Sequence, residues 1–249
     1  WFAAGVLDSE LSNKTRRVIA LDKFGGYSIK AFRAHLPSEL NVVNDMDLFR
    51  HQTLAVTEAL EPVAIDLDED FAQFRLNTEI EIAHIDAAKT PKTWRGIAAR
   101  LLETICPGKT IWIFQDFVRI RLPWHAYSIA ELQPFGSLIG GSEIGTLYFR
   151  FNKAVSPEVI DRVSQDTFTL EERLCNVEQT FATVKERFNH IFGEHLSVDD
   201  LAVGTLSYCH FWFGDKERAK AIFQSTSNGF RDLAAVQQYK QELGNIDDD

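Results

Sequence analysis

Over the first 155 positions, short apolar runs that end in a charged residue alternate with stretches of helical spacing, the pattern of a parallel sheet covered by helices. RVIALDKF (17–24) reads as a buried parallel strand. DLFRHQTLAVTEAL (47–60) reads as a helix in which Leu48, Thr53, Val56 and Leu60 share a face, and Pro62 marks the boundary before a short strand, VAIDL (63–67). EIEIAHID (79–86) alternates as a strand does. TWRGIAARLLETI (93–105) then places Trp94, Ile97, Ala98, Leu101, Leu102 and Ile105 on one helical stripe that stops at Cys106-Pro107-Gly108. KTIWIFQDF (109–117) is another apolar strand, and SLIGGSEIGTLYFRFN (137–152), with Gly140-Gly141 and Gly145 inside it, reads as a hairpin rather than a further crossover. Residues 1–11, WFAAGVLDSEL, read as a helix.

From Ser156 onward the pattern is helical only. SPEVIDRV opens with a capping serine, a proline at the first helical position and an acid in the first turn. A long amphipathic helix over 168–192 is closed by Gly193; helices over 197–213 and 216–224 meet at Gly214-Asp215, and a last helix covers 230–243. The Gly214, Ala219, Phe223 spacing is like the middle of a tetratricopeptide repeat, but a single copy makes a plain helical hairpin, since arrays need about three stacked repeats. The expected division is an α/β domain over 1–155 and a helical extension over 156–249.

Composition narrows the function classes. The 249 residues are 45% hydrophobic and 25% charged, as in an ordinary soluble protein able to bury its own core. A net charge of -10 without clustered Lys and Arg argues against a nucleic-acid surface. No apolar run approaches the roughly 18 residues of a membrane span, and no signal peptide is expected. Cys106, Cys175 and Cys209 have neither CxxC nor Cys/His metal spacing and read as reduced thiols, which predicts a cytoplasmic protein.

The predicted strands end in acids: Asp22, Asp66, Asp86 and Asp116. In open α/β sheets ligands bind beyond the carboxyl ends of the strands, where such acids can bond ribose hydroxyls, amines or a metal. Candidates for a proton acceptor are His84, Lys89 if burial lowers its pKa, and His125, which follows Pro123-Trp124 in a segment expected to be a loop over the site. Each has a bland alternative: His84 as a strand residue facing a helix, Lys89 as a solvated charge, His125 as packing. Trp124 and Tyr127 are expected as apolar walls or core.

The order of these segments and their strand-end acids resembles a class I, Rossmann-like S-adenosylmethionine-dependent methyltransferase, with distant similarity to sugar O-methyltransferases of the macrocin type. RVIALDKF is similar to the second strand of that fold, VAIDL to the third, EIAHIDAAK to the fourth and CPGKTIWIFQDF to the fifth. The resemblance implies a doubly wound, mostly parallel sheet ending in an antiparallel hairpin, with the helical extension after it. It implies S-adenosylmethionine as cofactor, held by Asp22 at the ribose, by Asp66 and Leu67 near the adenine, and by Asp86. It implies methyl transfer to an oxygen of a small sugar-like or natural-product acceptor. In the macrocin type, acids at the positions of Asp86 and Asp116 hold a divalent metal such as magnesium; here Ala88 stands at the position of a further acid and Gln115 at that of another, so the metal is no longer implied. Nothing ahead of RVIALDKF supplies the first strand and glycine-rich turn of the family, so those are expected upstream of Trp1.

Other readings are weaker. His84-x-Asp86 matches two ligands of a 2-His-1-carboxylate iron site, with His125, His190, His195 or His210 as third, but that motif belongs to an all-β barrel. Ile65-Asp66-Leu67-Asp68 resembles the start of a haloacid-type phosphatase or a sugar-nucleotide site, yet Glu69-Asp70-Phe71 lacks the glycine and threonine that should follow. The alternative of another class is a non-catalytic methyltransferase-like scaffold whose C-terminal helices bind a protein partner or a second copy.

Overall fold

The computed structural model describes residues 18–22, 44–68, 74–76, 78–142, 145–191, 197–225 and 234–244. The helix expected over 1–11 and the flanks of the first strand lie outside them, as do residues 69–71, Gly193 and His195. The fold is mixed α/β, and the chain divides into two compact units, Trp1–Gln73 and Phe74–Asp249.

In the first unit, strand β1 (Val18–Asp22) pairs parallel with β2 (Leu60–Ala64), Asp22 lying opposite Ala64. Helix α1 (Asp45–Gln52) is capped by Asn44, whose side chain accepts the Asp47 N–H at 2.9 Å. The helix expected to reach residue 60 stops at Thr53, and Leu54–Ala59 continues as a 3-10 turn. β2 begins earlier than expected and contains Pro62. A proline lacks the N–H that a central strand needs, but an edge strand tolerates it, and among the described residues β2 pairs with β1 alone.

In the second unit, four strands form a sheet in the order β3 (Ile82–Ile85), β4 (Ile111–Phe114), β6 (Thr146–Phe151), β5 (Gly136–Ser142). β3 and β4 run parallel; β6 is antiparallel to both β4 and β5. The sheet is therefore mixed, with one parallel pair and two antiparallel ones, where a mostly parallel sheet was expected. The hairpin is where the glycines placed it. Gly145 sits at φ 88°, and a Cβ there would lie 2.2 Å from Val118 Cγ2, so the turn requires glycine on both counts.

One face of this sheet carries the core. Ala83, Ile85, Trp112, Phe114, Leu147 and Phe149 are buried, while Ile82 and His84, which point to the other face of β3, are exposed. Helices α2 (Pro91–Leu102) and α3 (Pro123–Leu132) supply the rings that meet the buried face. Trp94 lies 6.1 Å from Trp112 and 6.0 Å from Phe114, and His125 lies 5.4 Å from Phe114.

Helices α4 (Pro157–Gln165), α5 (Leu170–Phe188), α6 (Val198–Phe213), α7 (Lys216–Gln224) and α8 (Ala234–Gly244) complete the unit. Ser156 caps α4 through the Val159 N–H, with Pro157 next, as the sequence predicts. α6 and α7 form the expected hairpin at Gly214-Asp215, where Ser207 Oγ donates to the Ala219 carbonyl at 2.7 Å. The texture of the sequence changes at residue 156, but α5 packs on α3 and its Thr180 hydroxyl donates to the Ala126 carbonyl at 2.8 Å, so sheet and C-terminal helices share one compact unit. No described helix is long and apolar enough to cross a membrane. All three cysteines are free.

Candidate functional site

Because β3 and β4 run parallel, the residues that follow them leave the sheet at the same end. Asp86 is the first residue after β3, and Asp116 the second after β4; the Gln115 N–H donates to the Ile85 carbonyl at 3.1 Å and keeps the two exits side by side. Asp116 adopts a left-handed conformation, φ 59°, uncommon outside glycine though tolerated by aspartate.

Between the two acids stands Lys89. Its Nζ donates to Asp86 Oδ1 at 2.8 Å and to Asp116 Oδ2 at 2.6 Å. The other Asp116 oxygen, Oδ1, takes Arg119 Nε at 3.1 Å. Asp116 is 15% exposed in its side chain, Asp86 53% and Lys89 42%, so the cluster is anchored on its inner acid and opens to solvent on its outer one. Local backbone explains why Lys89 reaches both. The Lys89 N–H donates to the Ala87 carbonyl at 2.8 Å, Thr90 caps α2 through the Thr93 N–H, and the indole of Trp124 donates to the Ala88 carbonyl at 2.7 Å. Ala88 and Trp124 are both buried. At position 88 the chain thus presents a small side chain packed inward and a carbonyl held by tryptophan.

The other sequence candidates are placed as follows. His84 is on β3, two residues before Asp86, on the exposed face of the strand rather than against a helix. His125 is not in a loop. It lies in the first turn of α3, a helix in which every residue but Glu131 is buried. Its ring is 5.4 Å from Trp94 and 5.4 Å from Phe114, and neither ring nitrogen has a hydrogen-bond partner. Burial, with the Lys89 charge adding to it, lowers its pKa to about 3. Such an imidazole is neutral at neutral pH, and a group of so low a pKa beneath the surface is poorly suited to take a proton from an acceptor. Lys89 is exposed rather than buried, and is paired with both acids. Trp124 and Tyr127 are core residues.

In the first unit, Asp22 is the last residue of β1; its side chain lies outside the described atoms. Asp66 follows the end of β2 by two residues, accepts the Asp68 N–H at 3.0 Å in an aspartate turn, and is followed by half-buried Leu67. Both acids stand at the carboxyl end of a parallel pair, as Asp86 and Asp116 do in the second unit.

Sequence reasoning missed Arg119 and the clamp of Trp124 on Ala88. The first had a signal, an arginine three residues after a strand-end aspartate; the second had none, since it joins residues 36 apart. An open groove lined by Glu131, Gln133, Phe135, Val159, Asn176 and Gln179 is a separate feature. Phe135 accepts the Asn152 and Lys153 N–H groups beyond the end of β6, which places the groove at the amino end of β4, away from Asp86 and Asp116.

The donor set does not suit a resident divalent ion. Magnesium or calcium takes at least six oxygens with an excess of negative charge, whereas here two carboxylates face one ammonium and one guanidinium. Among the described residues no group of three or more His, Cys, Asp or Glu could hold a metal. Comparison of the chain with models of protein families, with curated proteins and with solved structures finds no match.

Proposed function

We propose that the chain binds S-adenosylmethionine at the carboxyl ends of its parallel strands and transfers the methyl group to an oxygen of a small, hydroxyl-bearing acceptor of the sugar or natural-product kind. One observation carries the reading: in each unit a parallel strand pair ends in two acids, Asp22 and Asp66 in the first, Asp86 and Asp116 in the second. Doubly wound α/β proteins hold cofactors at that edge. The neighbours support it as well, since second beside third and fourth beside fifth are adjacent in the doubly wound order.

When bound, the cofactor supplies a methyl carbon already activated by its sulfonium. The protein has to hold the acceptor in line, exclude water and accept one proton. Asp22 would bind the ribose hydroxyls, with Asp66 and Leu67 at the adenine. In the second unit Asp86 is the more exposed carboxylate of its pair, which supports it as a proton acceptor that Lys89 would orient. The reading carries a cytoplasmic location with it.

A second reading, a methyltransferase-like scaffold that binds a protein through its C-terminal helices, is favoured by α6. There Trp212 is 48% exposed beside Tyr208 and Phe211. Titration calorimetry with S-adenosylmethionine separates the two. Heat that saturates at one equivalent supports the enzyme, and absence of heat from the protein with any residues upstream of Trp1 included leaves the scaffold.

A further inference from the structure

We infer that Lys89 is the resident cation of this edge: its ammonium fills the position between Asp86 and Asp116 that a divalent ion would need, so the site is complete without metal. The geometry is that of a bridging ion. One nitrogen lies 2.8 Å from an oxygen of the acid after β3 and 2.6 Å from an oxygen of the acid after β4, two residues that only the parallel pairing of the strands brings together. The remaining oxygen of Asp116 is ion-paired with Arg119 Nε at 3.1 Å, so the inner acid has both oxygens committed to cations. The charges of the four side chains cancel, which removes the excess negative charge on which a hard cation depends.

The lysine is also held where it stands. It is rooted between Ala88, whose carbonyl is clamped by the buried Trp124, and Thr90, which caps α2. A free surface lysine pairs with whichever acid its flexible stem meets, at little gain. This one emerges from a restrained turn directly between two strand ends. An ammonium has three N–H donors in a fixed fan, and the carboxylates use two of them. Among the described residues the third meets no acceptor and is left for a ligand oxygen, so a hydroxyl or carboxylate is the chemical class the edge would take. The same charge is felt inside the fold, where Lys89 contributes to the lowered pKa of His125.

The place of Lys89 between the two acids does not depend on S-adenosylmethionine binding. Manganese is the probe, read by the loss of its free-ion electron paramagnetic resonance signal on addition of protein. The wild-type chain is expected to take up no manganese at Asp86 and Asp116. Lys89→Met, which keeps the stem and removes the charge, is expected to bind it at least roughly tenfold more tightly than wild type, because an ammonium beside the ion repels it strongly even in a watery site. The gain should vanish in Lys89→Met/Asp116→Asn. Circular dichroism and the thermal transition show that each variant is folded, and Lys89→Gln serves if the methionine variant aggregates. Uptake by the wild type that Asp116→Asn abolishes overturns the inference, and so does a folded Lys89→Met or Lys89→Gln chain that binds no better than wild type.

Discussion

His125 shows what a single side chain does when it is buried without partners. Both ring nitrogens lie in the core beside Trp94 and Phe114 with no hydrogen bond, and burial lowers the pKa to about 3, against an ordinary value of 6.5. Below the ordinary value the unfolded chain binds a proton that the folded chain does not. Stability is therefore complete above pH 6.5 and is lost as the pH falls through the window towards 3, at up to about 1.4 kcal/mol per pH unit. His125→Phe keeps an aromatic ring in the cage and removes the two unpaired nitrogens. It should flatten this window and raise stability at pH 7 by about 1–3 kcal/mol, the cost of leaving buried polar groups unmade. Urea unfolding of both chains at pH 7 and pH 5 measures it; equal pH dependence in the two would show that the imidazole is not the neutral, buried group described.

At the scale of elements, the helices of the second unit are joined by a buried ion pair. Asp166, at φ 56° in the C-cap of α4, accepts from Arg173 of α5 and from the Tyr127 hydroxyl of α3 at 3.0 Å. The Arg173 guanidinium also lies 3.9 Å from the centre of the Phe213 ring at the end of α6. Both charged side chains are less than a tenth exposed. Removing one partner leaves the other charge buried, so Arg173→Ala should cost about 3–5 kcal/mol, and Tyr127→Phe, which takes away one hydrogen bond to a charged group, about 1.5–3 kcal/mol. Chemical denaturation gives both values, and losses of similar size for the two would show that the charge is not buried as described.

The same helices show which elements can be read from a sequence. Those at the chain surface announce themselves. Ser156-Pro157-Glu158 starts α4 where the capping chemistry says, and the stripe of Trp94, Ile97, Ala98, Leu101 and Leu102 makes α2. α3 was not legible, because PWHAYSIAEL is apolar on nearly every side and a helix buried all round has no stripe to detect. The candidate site was legible as strand-end acids, since Asp86 and Asp116 need only the strands to run parallel. The partners of those acids were not, because Lys89 meets Asp116 27 residues away and stands in a turn whose Ala88 carbonyl is bonded by Trp124, 36 residues from Ala88 in sequence.

For the whole molecule, the test is linkage between ligand and stability. A ligand that binds only the folded chain stabilises it by an amount set by its concentration relative to its dissociation constant, about 2.7 kcal/mol at a hundredfold excess. S-adenosylmethionine at that level should therefore raise the unfolding free energy of the wild-type chain by about that much. Asp22 ends β1 at the carboxyl edge of its strand pair. If its carboxylate holds the ribose hydroxyls, Asp22→Ala loses roughly 1.5–3 kcal/mol of binding, the range for a hydrogen bond to a charged group. At the same ligand concentration the stabilisation left is then about 0.3–1.3 kcal/mol. Since Asp22 is a strand terminus, the variant without ligand also reports any loss of fold, and only the difference between the curves with and without ligand bears on the cofactor. A wild-type curve that S-adenosylmethionine does not move, measured with any residues upstream of Trp1 included, sets the cofactor aside, while equal shifts in wild type and Asp22→Ala keep the cofactor and remove Asp22 from its site.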